Sequence, residues 1–541
     1  MNISKISTIS IAATCAMSGF AQRPNIILIM SDDMGYSDIG CYGGEISTPH
    51  LDDLAAKGVR FSQFYNAGRS CPTRASLMTG LHPHQTGIGH MTNDPENPVA
   101  FDINLPGYRG FLNRNSVTIA EVLKEAGYTT LMTGKWHLGM NKKEQWPLQR
   151  GFDRFYGILA GATNFFKPTH PRSITLDNEA ITISDPDYYT TDAFTDHAID
   201  FIREARETDS DRPFFLYLAY NAPHWPVQAP QEVVDKYKGK YMKGWSVLRE
   251  ERYHRMVAMG LVKPDDLFSP DDSKSWESLD EDKKKEMDLR RAIYAAQVEQ
   301  MDTNIGKLMN YLNSNDLTKN TIVIFLNDNG ACAEGGMLGG GPAAQLETKE
   351  GYFLTYGQAW ANASNTPLRR YKHWVHEGGI STPCIVSWPG DIPEKNQGSI
   401  LRQFAYLPDI MATCVDLAET KYPKKYNGND IYPLQGKSFT SQLRGMDKPI
   451  HNEPIFWEHE GNRAVRSGDY KLVMEWDNNR PENWELYNIR KDRTEMNDLS
   501  EQMPGQVEKM KKMWYHWAKK SMVETDWSRI QELEKAQRKK N

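Results

Sequence analysis

The sequence predicts an α/β protein built on a mostly parallel sheet, and three observations carry the prediction. The short apolar runs are unbroken rather than alternating, helix signals fall between them, and the texture changes after about residue 440. An unbroken run marks a strand buried on both faces, the situation of a parallel sheet covered by helices.

Taken in chain order, the runs are Asn25–Met30, Thr130–Met132, Phe214–Leu218, Thr321–Leu326 and Cys384–Val386. The segment TIAEVLKEAGY reads as a helix, with Thr118 and Glu121 forming a capping box and Gly127 suited to the C-terminal end. In LRRAIYAAQVEQMDTNIGKLMNYL the residues Ile293, Val298, Met301, Ile305, Leu308 and Leu312 form one apolar stripe, which reads as core packing rather than a binding face. Residues 231–290 are charged and weakly periodic and read as an insertion with some helix. Beyond 440, PIFWEH, NRAVRSGDYKLVMEW and WELYNI read as short strands of a smaller antiparallel subdomain. A helix near 504–518 follows, and ELEKAQRKKN reads as a solvated helix end or frayed tail. The expected division is therefore 22–440 for the main unit and 441–541 for the subdomain.

Composition narrows the function. With 541 residues, 39% of them hydrophobic, the chain has material for a large core. A net charge of -6 and a pI near 6.2 argue against nucleic acid or an anionic membrane as the main partner. Residues 1–21 read as a secretory signal cleaved after Ala21, a better reading than a lipoprotein signal at Cys15. No later stretch approaches the roughly 18 apolar residues of a membrane span, so the mature protein is expected to be periplasmic or secreted. Cys41, Cys71, Cys332, Cys384 and Cys414 remain, an odd number with no zinc-type spacing.

Each predicted strand ends in polar residues. The first runs into Ser31-Asp32-Asp33, the second into Lys135-Trp136-His137, the third into Asn221-Ala222-Pro223-His224, and the fourth into Asn327-Asp328-Asn329. Ligands of open α/β sheets sit beyond the carboxyl ends of strands, so these loops should converge. Asp-Asp and Asp-Asn are ordinary loop pairs when met singly. At the ends of two buried strands, Asp32, Asp33, Asp328 and Asn329 instead suggest an oxygen-donor site for calcium, or less favourably magnesium. Lys135, His137, His224, Arg74 and Lys372 would add positive donors around a tetrahedral oxyanion. In GRSCPTRASLMTG, Ser70 taken alone reads as a helix N-cap with Pro72 in the first turn.

Those residues also carry a resemblance. Ser70-Cys71-Pro72-Thr73-Arg74 followed by ASLMTG resembles the sulfatase signature, and GKWHLG at 134–139 is similar to the second sulfatase motif. With SDDMG, NDNG and PLRRYKHWVHEGG the likeness runs in order from about residue 25 to 390. It implies an alkaline-phosphatase-like fold and a small C-terminal sheet subdomain. It further implies that Ser70, rather than Cys71, is oxidised to formylglycine by a separate maturation enzyme, because Pro72 and Arg74 fix the frame. The hydrated aldehyde would use one oxygen to attack sulfur and the other to expel sulfate. By the same resemblance Asp32, Asp33, Asp328, Asn329 and residue 70 are calcium ligands. Arg74 and Lys135 orient the diol, His137 is the base, and His224 and Lys372 contact the bridging oxygen, with His224 as general acid. The chain departs from the family where Arg370-Tyr371-Lys372-His373 replaces a frequent Gly-Gly-Lys-Gly, which crowds the loop around Lys372.

The expected substrate is a sulfated glycan, cut by an exo-acting enzyme. Trp225, Arg369, Arg370, Trp374 and His376 are the sugar-contact candidates, with His373 and residues 162–170 beside them. EGGMLGGGPAA lacks the Lys-Ser/Thr ending of a phosphate loop and reads as a mobile lid or flexible surface loop. Two alternatives stand. A phosphomonoester, phosphodiester or phosphonate hydrolase with two zinc ions would want further His/Asp rim ligands, and the sequence offers one clear cluster. A glycan-binding homologue would keep the pocket with Ser70 never oxidised.

Overall fold

The computed structural model describes residues 23–92, 102–480 and 482–539; the expected secretory signal lies outside them. Its main sheet contains β1 (Asn25–Ser31), β2 (Val59–Tyr65), β3 (Thr129–Lys135), β4 (Arg154–Ile158), β5 (Ile174–Leu176) and β6 (Glu179–Ile181). β7 (Phe214–Ala219), β8 (Thr321–Asn327), β9 (Ser381–Ser387), β10 (Ser399–Leu401) and β11 (Ala405–Tyr406) complete it. The order is β10-β2-β9-β8-β1-β7-β3-β4-β5-β6, with β11 beside β2. The central strands β8, β1, β7, β3 and β4 are parallel. All of them therefore end at one edge, where their polar loops meet.

Alternate residues of one strand serve two cores. Ile27, Ile29, Leu216, Leu218, Val323 and Phe325 face the layer that includes Ile293 and Val298 of the 34-residue helix Glu281–Ser314. Ile26, Leu28, Phe215, Ile322 and Ile324 face the layer of helices Ser70–Thr79, Ile119–Glu125 and Pro408–Leu417. Burial of each such side chain contributes roughly 1.5–3 kcal/mol. Thr118 caps its helix as expected, its Oγ1 accepting from the Glu121 N–H at 3.0 Å while Glu121 returns the bond.

Two expectations change and two hold. Cys384–Val386 lies in β9, which is antiparallel to both β2 and β8, because burial on two faces does not encode direction. Ser70 is the first residue of helix Ser70–Thr79 and Arg69 occupies the cap, so the Ser70 hydroxyl is free for other work. Residues 231–290 hold the expected helix, in Gln231–Val234, Trp245–Ala258 and the start of Glu281–Ser314. Helix Trp245–Ala258 buries Arg252, which donates to Asp38 at 2.8 Å, and Trp245 meets Trp360 edge-on at 5.4 Å. The terminal helix Trp527–Arg538 is docked at its start, where Trp527 and Ile530 pack with Ile103 and Tyr108, and its end is solvated as expected, with Glu532, Lys535 and Arg538 exposed.

After the short hairpin β12 (Lys425–Tyr426) and β13 (Asn429–Asp430) come β14 (Ile455–His459), β15 (Asn462–Ser467), β16 (Tyr470–Met474) and β17 (Trp484–Asn488). These four form an antiparallel meander. One face packs on Met510, Trp514 and Trp517 of helix Pro504–Lys520, and the other on Tyr65, Val375 and Ile380 of the main unit. The five described cysteines are buried and unpaired. Among the described residues no helix is long and apolar enough to cross a membrane.

Candidate active site

The carboxyl-end loops of β1, β3, β7 and β8 meet as their sequence positions demand. Asp33 has φ +67, a strained setting for a non-glycine residue, held by its N–H donating to Asp328 Oδ1 at 3.0 Å. Asn329 Nδ2 donates to Asp33 Oδ1 at 2.7 Å. All four proposed oxygen ligands are buried. Asp32 Oδ1 and Asn329 Oδ1 have no hydrogen-bond partner there, which is costly unless a cation completes them. Asp32, Asp33 and His224 also offer ligand atoms within 4.8 Å of one another, so this is a possible acidic metal site.

Cations surround the acids. Lys135 Nζ donates to Asp32 Oδ2 at 2.7 Å, and Lys372 Nζ to Asp33 Oδ2 at 2.8 Å. Arg74 links the cluster to the helix start: Nε donates to Ser70 Oγ at 3.1 Å, Nη1 to the Lys135 carbonyl at 3.2 Å, and Nη2 to Asp328 Oδ2 at 3.2 Å. Cys71 points elsewhere, its Sγ accepting from the Thr92 N–H at 3.2 Å. Burial and the like charge of Asp328 push the Asp32 carboxyl well up, against Lys135 and Arg74. Burial also opposes ionisation of Asp33, but Lys372 and His224 outweigh it and hold its carboxyl well below the usual range.

The two histidines have assigned faces. His137, at φ +57, places Nε2 2.5 Å from the Thr92 carbonyl, so that nitrogen carries the proton and Nδ1, without a hydrogen-bond partner among the described residues, is left able to accept one. Burial, with Lys135 and Arg74, pushes its pKa well down. His224 Nδ1 lies 2.6 Å from the Trp225 carbonyl, which leaves Nε2 directed at Asp33 Oδ2, 3.3 Å away.

Sugar-contact candidates divide. Trp225 stays beside the acid cluster, its ring 4.6 Å from that of His224 and its Nε1 donating to Glu334 Oε2 at 2.7 Å, with Tyr352 and Phe353 edge-on to its ring. Arg369 and the fully buried His376 are instead paired with Glu485 of β17, at 3.0 and 3.2 Å. Arg370 and Trp374 both bond Glu475. In segment 162–170, Phe165 is core and stacks on Tyr189, while the exposed Lys167 pairs with Glu350. The glycine-rich loop is not a loose lid: Arg290 donates to the Gly340, Gly341 and Thr355 carbonyls at 2.7, 2.9 and 2.6 Å. Its glycines serve backbone shape, since Gly335, Gly336, Gly339 and Gly341 all have positive φ.

Sequence reasoning missed Glu334 and Arg69. Glu334 accepts from Arg69 Nη2 at 3.0 Å and stands 3.5 Å from Lys372 Nζ, so one carboxylate joins the pocket wall to the Lys372 ammonium. Its place five residues past Asn329, opening the glycine run, was the available signal.

The comparisons agree with this geometry. The family profile described as Sulfatase matches residues 24–420, and that described as N-sulphoglucosamine sulphohydrolase, C-terminal, matches 370–521. The chain is 34% identical over 439 residues to the arylsulfatase of Klebsiella aerogenes, covering 78% of this chain and 92% of that one. It is 30% identical to the N-acetylgalactosamine-6-sulfatase of Rattus norvegicus, covering 87% and 74%. The crystal structure of Ps i-CgsB in complex with k-i-k-neocarrahexaose superposes with a TM-score of 0.68 at 26% identity, covering 94% and 95%. An acid cluster ringed by buried cations, in a chain matched along most of its length, leads to one assignment: the protein belongs to the sulfatase family and is a sulfuric ester hydrolase.

Proposed function

We propose that the protein is an exported, exo-acting glycan sulfatase that uses a formylglycine made from Ser70 and one calcium ion. The observation that carries the reading is the position of Arg74, which holds Ser70 Oγ and Asp328 at once, beside the unpartnered oxygens of Asp32 and Asn329. The donor set is all oxygen, which suits calcium. Asp32, Asp33, Asp328 and Asn329 would hold the ion, which supplies positive charge to the sulfate oxygens. An aldehyde at position 70 supplies, when hydrated, a nucleophilic hydroxyl.

The chain's own residues do the rest. Arg74 orients the oxygen of residue 70 and Lys135 balances Asp32. Lys372 presents its ammonium beside Asp33, held charged because the carboxylates of Asp33 and Glu334 outweigh its burial. His137 takes a proton at Nδ1. His224 gives one from Nε2 to the leaving alcohol; burial pushes its pKa down to about 3, against Asp33, and the arriving sulfate adds the counter-charge that favours its protonated form. Trp225 offers an aromatic face for a sugar ring. Similarity to an N-acetylgalactosamine-6-sulfatase and to a structure holding a neocarrahexaose supports a sulfated glycan as substrate. A separate enzyme would mature Ser70, and residues 1–21 would direct export.

Peptide mass spectrometry across residue 70, on protein from a host with the maturation enzyme, should show loss of two hydrogens. The same protein should desulfate members of a sulfated mono- and oligosaccharide panel. Intact serine with glycan binding and no turnover would replace the reading by a binding protein, and faster aryl phosphate than aryl sulfate turnover by a phosphoester hydrolase.

A further inference from the structure

We propose that His373, His459 and Glu460 form a second metal site, of the zinc type, at the rim of the pocket. No ligand spacing announces it, because the fold assembles it from two places. His373 follows Lys372 in a loop and has φ +91, with its N–H donating to the Gly68 carbonyl at 2.7 Å. His459 ends β14, and Glu460 and Gly461, with φ +48 and +86, make the two-residue turn into β15.

The donor geometry suits a small divalent ion. One ligand atom from each of the three residues lies within 4.8 Å of the other two. His373 Nδ1 is 3.1 Å from Glu460 Oε2, and His459 Nε2 is 3.6 Å from Glu460 Oε1. The two contacts run to different oxygens of Glu460, so the carboxylate lies between the two imidazoles, as a shared ligand of one ion would. Two imidazoles and a carboxylate also match the ligand types zinc accepts while leaving a fourth position open.

A second observation points to a ligand independently. His459 is fully buried, yet among the described residues neither ring nitrogen has a hydrogen-bond partner. A neutral imidazole has one donor and one acceptor, so both are unmet, and a metal bond to Nε2 would satisfy the acceptor. Burial holds this ring neutral, against Glu460, which is the form that coordinates. Asn462 Nδ2 donates to the His459 carbonyl at 3.0 Å and so fixes the turn that carries His459 and Glu460. Access remains, since the His373 and Glu460 side chains keep 32% and 19% exposure.

The inference does not depend on the state of residue 70. Full-length protein, stripped with chelator and returned to excess calcium chloride, is titrated with zinc chloride by calorimetry, and bound zinc is counted by mass spectrometry. One zinc per chain is expected, with affinity lowered at least about tenfold in His459→Asn and unchanged in Asp328→Asn. Should His459→Asn fail to fold, His373→Asn on the exposed side gives the same reading. No zinc uptake, uptake equal in the histidine variants, or uptake abolished by Asp328→Asn would overturn the proposal. The last outcome would assign the zinc to the Asp32 cluster.

Discussion

Replacing Arg74 with lysine separates charge from orientation. The guanidinium is fully buried and addresses Ser70 Oγ, the Lys135 carbonyl, Tyr217 Oη and Asp328 at 3.1, 3.2, 3.4 and 3.2 Å, with Asp32 Oδ1 at 3.6 Å. A lysine keeps a cation near the two carboxylates but cannot hold Ser70 Oγ and Asp328 together, since it lacks the planar fork. Each lost bond to a charged group is worth about 1.5–3 kcal/mol. Only the part that strengthens toward the transition state lowers kcat, and a single preorganised donor of that kind carries about 10²–10³ in rate. Arg74→Lys should therefore lose about 10²–10³ in kcat, with a smaller change in KM and a folded chain. Arg74→Ala, which leaves Asp32 and Asp328 without this partner, should also lose about 3–5 kcal/mol of stability. The assay is aryl sulfate turnover per matured chain, with maturation at residue 70 counted by mass spectrometry. A fully matured Arg74→Lys enzyme within about threefold of the parent, under 1 kcal/mol in barrier, would refute the orienting role.

His224→Ala should cost poor alkyl leaving groups far more than aryl sulfates, and equal losses on both would remove His224 from the acid role. Asp302 is pushed up to about 7 by burial, against the Leu51 and His50 N–H groups it accepts from at 2.8 and 3.1 Å. Its folded pKa exceeds the unfolded value, so the folded state binds the extra proton and stability falls by up to roughly 1.4 kcal/mol per unit as pH rises toward 7. In denaturant titrations the difference between Asp302→Asn and the parent should vary over that window and level off above it; a pH-independent difference contradicts this. Glu377 shows the opposite sign: burial alone would raise it, but Lys471 and Arg493 hold it down to about 2. Its contribution is present above pH 4.5 and lost as pH falls toward 2, so Glu377→Gln should destabilise by about 3 kcal/mol at neutral pH, with the gap closing in acid. A gap that persisted at low pH would count against the ion pairs.

The strands with unbroken apolar runs were legible because burial on both faces leaves no polar position to interrupt them. β2 was not, since Arg60 and Gln63 sit at half-buried positions within it, and neither was the reversed direction of β9. At the site, acids and cations following strand ends were visible, as topology fixes where strand ends go. Arg369 and His376 misled because a charged residue next to Lys372 can as readily bind Glu485 of a strand more than a hundred residues away. Glu334 was marked only by its place after the fourth strand's polar end, and the His373–His459–Glu460 group left no local pattern, being a product of loops brought together by the fold.

The stretch 369–377 has one further implication. Arg369, Arg370, Trp374, His376 and Glu377 all fasten to acids or cations of the terminal meander, while Lys372 alone reaches inward to Asp33. The ammonium thus hangs from a bridge whose piers stand on the last hundred residues. Heat or acid that lets those piers shift would silence the enzyme while the central strands are still intact, so inactivation should run ahead of melting.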